Sequence, residues 1–323
     1  MTAPEHGGHA LRSRVGDEGR GAMLVDYLAQ RFRYLTATQW RAEIAARRVL
    51  VGGATATQAS RLRPGDEVTW LRDVVEPWVD DRIDVLHEDA DLLVVHKPAH
   101  LPMHADGPFV RSTLVQLLRD RRREPGLGLV HRLDRETSGV AVMARTQAAR
   151  KALQAQFEAG TVAKRYVAVV HGQPPTAWQV EAPIGHASHG EITLRRSCAD
   201  DAKAPKPAAT RFACLSTGGG RSLVRCWPQT GRTHQIRVHL AHSGHPIVGD
   251  KIYGQPDSVY LAFIAAVKAS GDPRTVPDCH PHRHLLHADE LAFRHPTTGR
   301  DVTFGCAAPN EFDAWLADPP PAR

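Results

Sequence analysis

The sequence predicts an α+β protein with two domains. The chain has 323 residues, and roughly 150 residues per domain favours two domains over one. Its hydrophobic content of 42% and charged content of 24% are typical of globular proteins, which argues against collagen, coiled coil and wholesale disorder. In the larger part of the chain, predicted strands and helices do not alternate regularly, so a mixed sheet is favoured over a doubly wound parallel sheet.

Four zones follow one another along the chain. Residues 1–21 are polar and glycine-rich and predict a flexible tail. Residues 22–75 predict a compact unit, and residues 76–82, which contain Pro77, predict a linker. Residues 83–318 predict one large domain.

The small unit is predicted to contain two helices followed by short extended segments. An apolar repeat at helical spacing predicts the first helix, formed around Leu24, Leu28 and Phe32. The second helix is predicted over 38–47, with Thr36 or Thr38 as its N-cap. A strand at 49–51, a glycine turn and a further extended segment at 62–70 complete the unit.

The large domain is predicted to be rich in strands. Apolar or alternating runs predict strands at 91–95, 140–144, 165–170, 191–194, 211–215, 222–226 and 285–293. Helical periodicity predicts helices at 113–118, 148–158 and within 233–242. Three consecutive glycines at 218–220 predict a hairpin turn before a strand.

Composition narrows the class of protein. No apolar run approaches the roughly 18 residues of a membrane-spanning helix, and the first residues lack the charged-then-apolar pattern of a signal peptide. The five cysteines are an odd number without a CxxC pair, which disfavours a disulfide scaffold. We therefore expect a cytoplasmic protein with no membrane partner. We also expect a monomer, although no feature of the sequence determines the oligomeric state.

The basic residues are concentrated near the N-terminus. The formal net charge is +6, and residues 29–63 hold seven arginines against the single acid Glu43, so the rest of the chain sums to zero. Arg41, Arg47 and Arg48 lie in or next to the second predicted helix, and a basic helix suits a phosphate backbone. A solvated helix face accounts for the charges equally well. The sequence thus predicts a charge-neutral large domain with a basic N-terminal unit.

The densest polar run is VHRLDRETSG at 130–139. Arg132 and Arg135 flank Asp134, and nearby cations lower the pKa of a carboxylate by about 1–3 units, so this side chain is expected to be ionised. The run precedes an apolar strand, and loops held by a rigid sheet often carry catalytic groups. An ionised carboxylate there can act as a nucleophile, although a structural salt-bridge loop explains the same residues.

A second polar run, QTGRTHQIRVHL at 229–240, leads into the helix predicted within 233–242. Thr233 is a candidate N-cap, and Arg232 and Arg237 would then meet anions near the helix start. From the residues alone, an ion pair with Asp134 and a phosphate cradle are both open.

A lone tyrosine, Tyr166, interrupts the apolar strand KRYVAVV at 164–170. By default such a tyrosine is a core residue whose hydroxyl finds a partner.

The run HRLDRETSG closely resembles the signature of the RluA-type RNA pseudouridine synthases. Further elements of that family follow in the expected order: HKP at 96–98, KRYVA at 164–168, TGRTHQIRVHL at 230–240, GHPIVGD at 244–250 and LHA at 286–288. The resemblance covers residues 83–312 and implies a largely antiparallel mixed sheet.

This resemblance implies a cofactor-free and metal-free isomerase that breaks the bond between uracil and ribose, turns the base and rejoins it through carbon 5. Asp134 matches the catalytic aspartate, which acts on either the sugar or the base. Tyr166 matches the active-site tyrosine, which stacks on the target base and is placed to take part in proton removal. Arg237 matches the arginine that ion-pairs the aspartate.

The resemblance also implies contacts with RNA. Arg132 matches the residue that fills the gap left by the extruded nucleotide, Arg232 matches a phosphate contact, and His234 is grouped with these RNA-binding residues. Base flipping is expected on physical grounds, because the reacting bond is unreachable in a stack and extrusion costs only a few kcal/mol.

The small unit resembles the alpha-L RNA-binding motif of ribosomal proteins, through DYLA at 26–29, RVLV at 48–51 and LRPGD at 62–66. It departs from that motif where Gly52 and Gly53 replace the usual Asn-Gly. The likeness implies that Arg41, Arg47 and Arg48 contact RNA. It favours large-subunit ribosomal RNA as substrate, with transfer RNA second. In the large domain, residues 255–283 are longer than the family pattern leads us to expect.

Rival functions have recognisable signatures. A catalytically silent RNA-binding or ribosome-assembly factor would have lost Asp134, Tyr166 or Arg237, and all are present. Cys279 and the histidines that follow it up to residue 287 could hold zinc, but their spacing fits no standard finger. A kinase-type catalytic loop is disfavoured. In kinases the aspartate directly follows the arginine, whereas here Leu133 separates Arg132 from Asp134.

Overall fold

The structure is a computed structural model that describes residues 9–32, 35–72, 76–277 and 279–317. The chain divides into two compact units, Met1–Val75 and Glu76–Arg323. Among the described residues, no helix is long and apolar enough to cross a membrane.

The two units carry equal net charge. The first holds eleven basic and eight acidic residues and the second 30 basic and 27 acidic residues, which gives +3 for each. The predicted charge-neutral large domain is therefore wrong. Acidic residues before residue 29 and after residue 63 offset part of the arginine-rich segment within the first unit itself.

A small sheet and two helices form the described part of the first unit. The strands are β1 (His9–Arg14), β2 (Val49–Val51), β3 (Ala54–Thr55) and β4 (Glu67–Arg72), and the helices are α1 (Leu24–Arg31) and α2 (Ala37–Ala45). The sheet order is β1-β4-β2-β3. Thr36 caps α2 by accepting a hydrogen bond from the Gln39 amide, and the Gln39 side chain accepts one from the Thr36 amide in return.

The predicted tail is wrong over its second half, because β1 pairs antiparallel with β4. Its described side chains, residues 10–14, are all exposed or half-buried, so no apolar pattern marked the strand in the sequence. Backbone hydrogen bonds to β4 hold it instead. The core beneath is built around Trp40 and Trp70, whose rings meet edge to face with centroids 4.7 Å apart.

The second unit is a larger α+β assembly. Its strands are β5 (Asp84–Glu88), β6 (Leu92–Lys97), β7 (Gly128–Leu129), β8 (Ser138–Ala144), β9 (Ala163–His171), β10 (Ala177–Glu181), β11 (Ile184–His186), β12 (Arg196–Ser197), β13 (Lys203–Lys206), β14 (Ala209–Gly218), β15 (Arg221–Pro228), β16 (Leu286–Arg294) and β17 (Asp301–Gly305). Its helices are α3 (Leu114–Arg122), α4 (Gln147–Ala159), α5 (Gln235–His242), α6 (Asp257–Ser270) and α7 (Glu311–Ala317).

One large mixed sheet organises this unit. Its order is β10-β14-β15-β9-β16-β8-β6-β5, with β17 beside β16 and β7 beside β8. The pairing of β8 with β16 is parallel, and the other pairings described within this sheet are antiparallel. The predicted α+β class with a largely antiparallel mixed sheet is therefore confirmed.

Alternate side chains of β6 enter cores on opposite faces of the sheet. Leu92 and Val94 belong to a cluster that includes side chains of α4. Leu93 and Val95 belong to another cluster that includes side chains of α3. The strands at the centre of the sheet are thus buried on both faces, which gives the loops at their ends a rigid base.

Several local predictions are wrong. Residues 191–194 form no strand, because the Glu191 amide donates to the Asp257 carboxylate at 2.7 Å rather than to a neighbouring strand. The predicted linker at 76–82 belongs to the second unit, where the Glu76 carboxylate accepts hydrogen bonds from two backbone amides of residues 111–112 at 2.7 Å each. The extra length at 255–283 contains helix α6, which no pattern predicted.

The helix start in the second polar run also differs from the prediction. Thr233 does not cap α5; its N-cap is His234, which has no side-chain capping hydrogen bond. The backbone of His234 is in the left-handed region with φ of 59°. The side chain of His234 lines the cavity described next.

Candidate active site

A cavity of about 270 Å³ opens where residues 130–138, hereafter the aspartate loop, meet β9 and the start of α5. Every site residue predicted in the large domain lines it: Arg132, Asp134, Tyr166, Arg232, His234 and Arg237. The fold thus brings together residues from three separate stretches of sequence.

Asp134 and Arg237 form a direct ion pair in this cavity. The Arg237 Nη1 donates to Asp134 Oδ2 at 2.8 Å. The other two nitrogens of the guanidinium, Nε and Nη2, donate to the two carboxylate oxygens of Asp250 at 2.6 and 3.0 Å. Asp250 is itself buried and accepts backbone hydrogen bonds from Ile252 and Tyr253. Arg237 is therefore held from behind and directs one N–H at Asp134.

Sequence reasoning missed Asp250 as a site residue, although it ends the GHPIVGD run that supported the family resemblance. A carboxylate next to a lysine reads equally well as a surface ion pair. Only the fold places it behind Arg237.

The electrostatics keep Asp134 ionised. Burial raises its pKa, but the positive charges of His234 and Arg237, both present at the low pH where Asp134 would take up a proton, outweigh that effect and hold the pKa well below its ordinary value. Burial and Arg237 lower the pKa of His234 to about 4, so at neutral pH this ring is uncharged and Arg237 is the cation that faces the carboxylate. Within the described chain, no hydrogen bond reaches the second carboxylate oxygen, Oδ1.

Tyr166 presents its ring to the same cavity from β9. It also packs against two hydrophobic clusters, so the default assignment to the core is true for part of the side chain. Burial, and then the negative charge of Asp134, raise the pKa of its phenol well above the usual value. The tyrosine is a neutral phenol at physiological pH.

A network of buried polar side chains holds the aspartate loop in place. The Glu136 carboxylate pairs with Lys251 at 2.9 Å and accepts the backbone amide of His284 at 3.0 Å. The hydroxyls of Thr137 and Ser138 lie 2.8 Å from ring nitrogens of His284 and His287, respectively. Burial raises the pKa of Glu136, but the charge of Lys251 and smaller contributions from other neighbours together outweigh burial and hold this pKa well below its ordinary range.

Lys97 supports the loop from the end of β6. Its side chain is fully buried, and Nζ donates to the carbonyls of Pro98 and Leu101 at 2.8 Å and of Arg135 at 3.2 Å. Burial lowers its pKa well below the usual value. The HKP segment of the sequence therefore has a structural task beside the loop.

The histidine-rich segment is divided between two places. His284 and His287 hold the aspartate loop, whereas His280 and His282 line a separate cavity of about 680 Å³. Among the described residues, the only side chains that converge closely enough to share a metal ion are Asp89, Asp91 and His295, which lie outside this segment. Asp89 and His295 are hydrogen-bonded to each other at 3.1 Å.

Two arginines stand exposed at the rim of the 270 Å³ cavity. Arg132 precedes Asp134 by two residues in the aspartate loop. Arg232 donates through Nε to the Pro207 carbonyl at 3.0 Å, which fixes its direction and leaves its terminal nitrogens outward.

In the first unit, the predicted RNA-contacting arginines differ in availability. Arg41 and Arg47 are exposed. Arg48 forms a bidentate ion pair with Glu43, with distances of 2.6 and 2.8 Å. Its guanidinium is therefore engaged within the unit, and its contact with RNA stays a prediction.

The structure thus brings an ionised aspartate, a neutral tyrosine and an arginine rim together around one small cavity of the mixed sheet. Comparison with known proteins identifies the kind of enzyme. Residues 91–242 match the family model described as RNA pseudouridylate synthase.

Proteins that are similar to this chain are also named pseudouridine synthases. The chain is 33% identical to ribosomal large subunit pseudouridine synthase D of Xanthomonas campestris pv. campestris, over 94% of this chain and 90% of that protein. It is 37% identical to RNA pseudouridine synthase 7 of Arabidopsis thaliana, over 75% of this chain and 62% of the plant protein. It is 36% identical to the mitochondrial tRNA pseudouridine(32) synthase of Saccharomyces cerevisiae, over 76% of this chain and 53% of the yeast protein.

Among solved structures, Human RNA Pseudouridylate Synthase Domain Containing 1 superposes with a TM-score of 0.59 at 28% identity, covering 75% of this chain and 91% of the human one. The chain belongs to the RluA-type RNA pseudouridine synthase family. This confirms the predicted family and the predicted enzyme class, an isomerase that acts on RNA.

Proposed function

We propose that the protein converts specific uridines of structured RNA to pseudouridine, with Asp134 as the catalytic carboxylate and without a cofactor. The observation that carries this proposal is the ion pair between Asp134 and Arg237 on the wall of a cavity that Tyr166 also lines. Large-subunit ribosomal RNA is the first candidate substrate and transfer RNA the second. Relatives of this chain are named for each.

The chemistry of the site supports a nucleophile or base at Asp134. Its Oδ2 is held by Arg237, and its Oδ1 is left for a reacting atom. An ionised carboxylate held in this way can attack the sugar or the base ring. Tyr166 enters as a neutral phenol, which suits a stacking surface and a hydrogen-bond donor.

The size of the cavity supports base flipping. A volume of about 270 Å³ lies near the lower end of small-molecule sites and suits one nucleotide rather than a duplex. The exposed arginines Arg132 and Arg232 would bind the backbone on either side of the extruded nucleotide.

We further propose that the first unit, through Arg41 and Arg47, adds affinity for RNA as an alpha-L-type domain. Both side chains are exposed beside the helix α2. We place the protein in the cytoplasm as a monomer. The five free cysteines suit a reducing compartment.

The decisive experiment maps pseudouridines in total RNA from cells in which the gene is deleted. The deletion strain is compared with the same strain carrying the wild-type gene and with the same strain carrying Asp134→Asn. Carbodiimide-dependent stops should appear at defined uridines only with the wild type. Purified Asp134→Asn should still bind the mapped RNA within about threefold of the wild-type Kd, because phosphate contacts supply most of the affinity.

Identical maps for the wild type and Asp134→Asn would contradict the catalytic assignment. If neither protein restores a stop although both bind RNA, the chain is a silent RNA-binding factor on a synthase fold. The position of the restored stops also decides between ribosomal and transfer RNA.

A further inference from the structure

His234 lies between the catalytic carboxylate and a buried tyrosine. Its Nδ1 is 2.8 Å from the hydroxyl of Tyr253, and its Nε2 is 3.9 Å from Asp134 Oδ2. The side chain is 11% exposed and lines the 270 Å³ cavity. Within the described chain, Nε2 makes no hydrogen bond, so this atom is open toward the cavity.

The hydrogen bonds of Tyr253 determine which nitrogen of His234 carries the proton. The Tyr253 oxygen already accepts the backbone amide of Arg196 at 3.0 Å. Tyr253 is buried, and the only acceptor that the described residues offer to its own proton is His234 Nδ1. A buried hydroxyl left without an acceptor costs about as much as a lost hydrogen bond, so Tyr253 donates and Nδ1 accepts.

The position of Asp134 favours the same tautomer. With Nδ1 as acceptor, the neutral ring carries its proton on Nε2, and this N–H faces the carboxylate. In the opposite tautomer the Nε2 lone pair would face the negative Oδ2, and the Tyr253 proton would be left without a partner. Both costs disappear in the first arrangement.

The ring stays uncharged near neutral pH. Burial and then Arg237 lower the pKa of His234 to about 4, against the opposing effects of Asp134 and Asp250. Arg196 lowers it further. The Arg237 guanidinium also lies over the Tyr253 ring, 5.1 Å from its centroid. This cation–π contact helps to fix the position of Tyr253 relative to Arg237.

We propose that Tyr253 is a positioning residue that fixes His234 as the neutral Nε2–H tautomer, and that this N–H donates a hydrogen bond to an oxygen of the target nucleotide beside Asp134. The proposal rests on the proposed function. The 3.9 Å between His234 Nε2 and Asp134 Oδ2 is too long for a hydrogen bond. The Nε2–H group therefore remains available to donate to a substrate oxygen that enters the cavity. A uridine offers carbonyl and ribose oxygens as acceptors. His234 is then a catalytic residue in addition to the RNA contact that the sequence predicted.

The tautomer can be tested without any activity. Long-range ¹H–¹⁵N spectra of the full-length ¹⁵N-labelled protein at pH 7 should show His234 as a neutral ring with a protonated Nε2, its signals identified by their loss in His234→Gln. In Tyr253→Phe the Nδ1 shift should move toward that of a mixture of tautomers. A protonated Nδ1 or a doubly protonated ring in the wild type would overturn the proposal.

Turnover is then measured by tritium release from carbon 5 of the uridine identified by mapping. His234→Leu should lower kcat by about 10- to 100-fold, as expected for loss of one preorganised donor. His234→Gln keeps an N–H at similar reach and should recover most of that loss. Tyr253→Phe should lower kcat by about 3- to 10-fold with little change in KM. The control is Tyr260→Phe, at a tyrosine of α6 that packs against the same apolar cluster as Tyr253, and it should match the wild type.

Wild-type kcat in His234→Leu, or an effect of Tyr253→Phe on KM alone, would overturn the assigned roles. If the wild type releases no tritium from any RNA, the proposed function fails. The spectra still decide the tautomer in that case, so the two failures are distinguishable.

Discussion

Arg237 serves two carboxylates at once, and this shapes the reactivity of Asp134. Asp250 takes two nitrogens of the guanidinium and Asp134 takes the third. The buried trio therefore carries one net negative charge, so Asp134 is stabilised as an anion without being fully neutralised. A lone arginine opposite Asp134 would hold the carboxylate more tightly and make it a weaker nucleophile.

We predict that Arg237→Lys lowers kcat by at least about 100-fold, because a single ammonium cannot make three directed contacts with two carboxylates. The pKa of Asp134 should rise as its partner is lost. In the wild type that pKa lies well below the ordinary value, so the acid side of the pH–rate profile should be flat from pH 8 down to about pH 5.

The variant should instead lose activity as the pH falls, since protonation removes the reactive carboxylate. Rates of tritium release between pH 5 and 8 would measure this. The exposed Arg211→Lys serves as the matched control. Parallel profiles for Arg237→Lys and the wild type would rule out the ion pair as the cause of the lowered pKa.

The loop and strand around Asp134 depend on one glycine. Gly139 follows the aspartate loop at the start of β8 and has φ of +125°, a conformation that L side chains rarely adopt. A Cβ at this position would lie 2.2 Å from the backbone oxygen of Ala288 and 2.5 Å from its nitrogen. The parallel pairing of β8 with β16 therefore brings two backbones too close for any other residue.

We predict that Gly139→Ala lowers the free energy of unfolding by at least about 3 kcal/mol, since both backbone strain and a clash must be relieved. Urea denaturation measures the effect. Gly126→Ala is the matched control: its Cβ would meet nothing within 4 Å, and the stability should change by less than about 0.5 kcal/mol. Equal stabilities of the two variants would show that the close approach is not required.

Over the whole molecule, buried neutral histidines tie stability to pH. Burial is the first cause that lowers the pKa of His100 and His284 to about 3 and of His287 to about 4. All three are less than 10% exposed. Below about pH 6.5 the unfolded chain takes up protons that the folded chain refuses, so folding stability must fall as the pH falls.

We predict a loss of about 1 kcal/mol per histidine between pH 6.5 and 5.5, or about 3 kcal/mol for these three, to which His131 and His234 add because their pKa values are also lowered to about 4. The carboxylates with lowered pKa, such as Asp134 and Glu136, contribute only at lower pH, where the unfolded chain begins to bind protons at its acids. Urea denaturation at pH 7.5, 6.5 and 5.5 therefore isolates the histidines. An unchanged midpoint across this window would contradict neutral burial.

The two units carry equal net charge, so we expect the RNA affinity proposed for the first unit to depend on where its arginines lie rather than on its total charge. We predict that Arg41→Ala with Arg47→Ala weakens RNA binding and lowers the slope of log K against log salt by up to about 1 for each lost phosphate contact. Filter binding across a salt series measures both.

The double variant Arg211→Ala with Arg300→Ala removes the same charge from exposed positions of the second unit and is the control. If it changes the slope as much, the first unit contributes only general charge.

The sequence alone identified the family, the mixed α+β class and the three residues Asp134, Tyr166 and Arg237. Each of these three residues lies in a short contiguous run of the sequence that resembles the family pattern. The central strands were predicted from their apolar runs, which occur because these strands are buried on both faces of the sheet. Strand β1 left no such mark, since its described side chains are exposed or half-buried and only backbone pairing holds it.

The tertiary structure alone decided what surrounds these residues. Asp134 and Arg237 are 103 positions apart, and Glu136 and Lys251 are 115 apart, so no local pattern could pair them. Only the fold places Asp250 behind Arg237 and Tyr253 beside His234, because aspartate and tyrosine also occur on protein surfaces. A sequence states which groups are present; packing decides which of them share a buried space, and burial then sets their charge and proton positions.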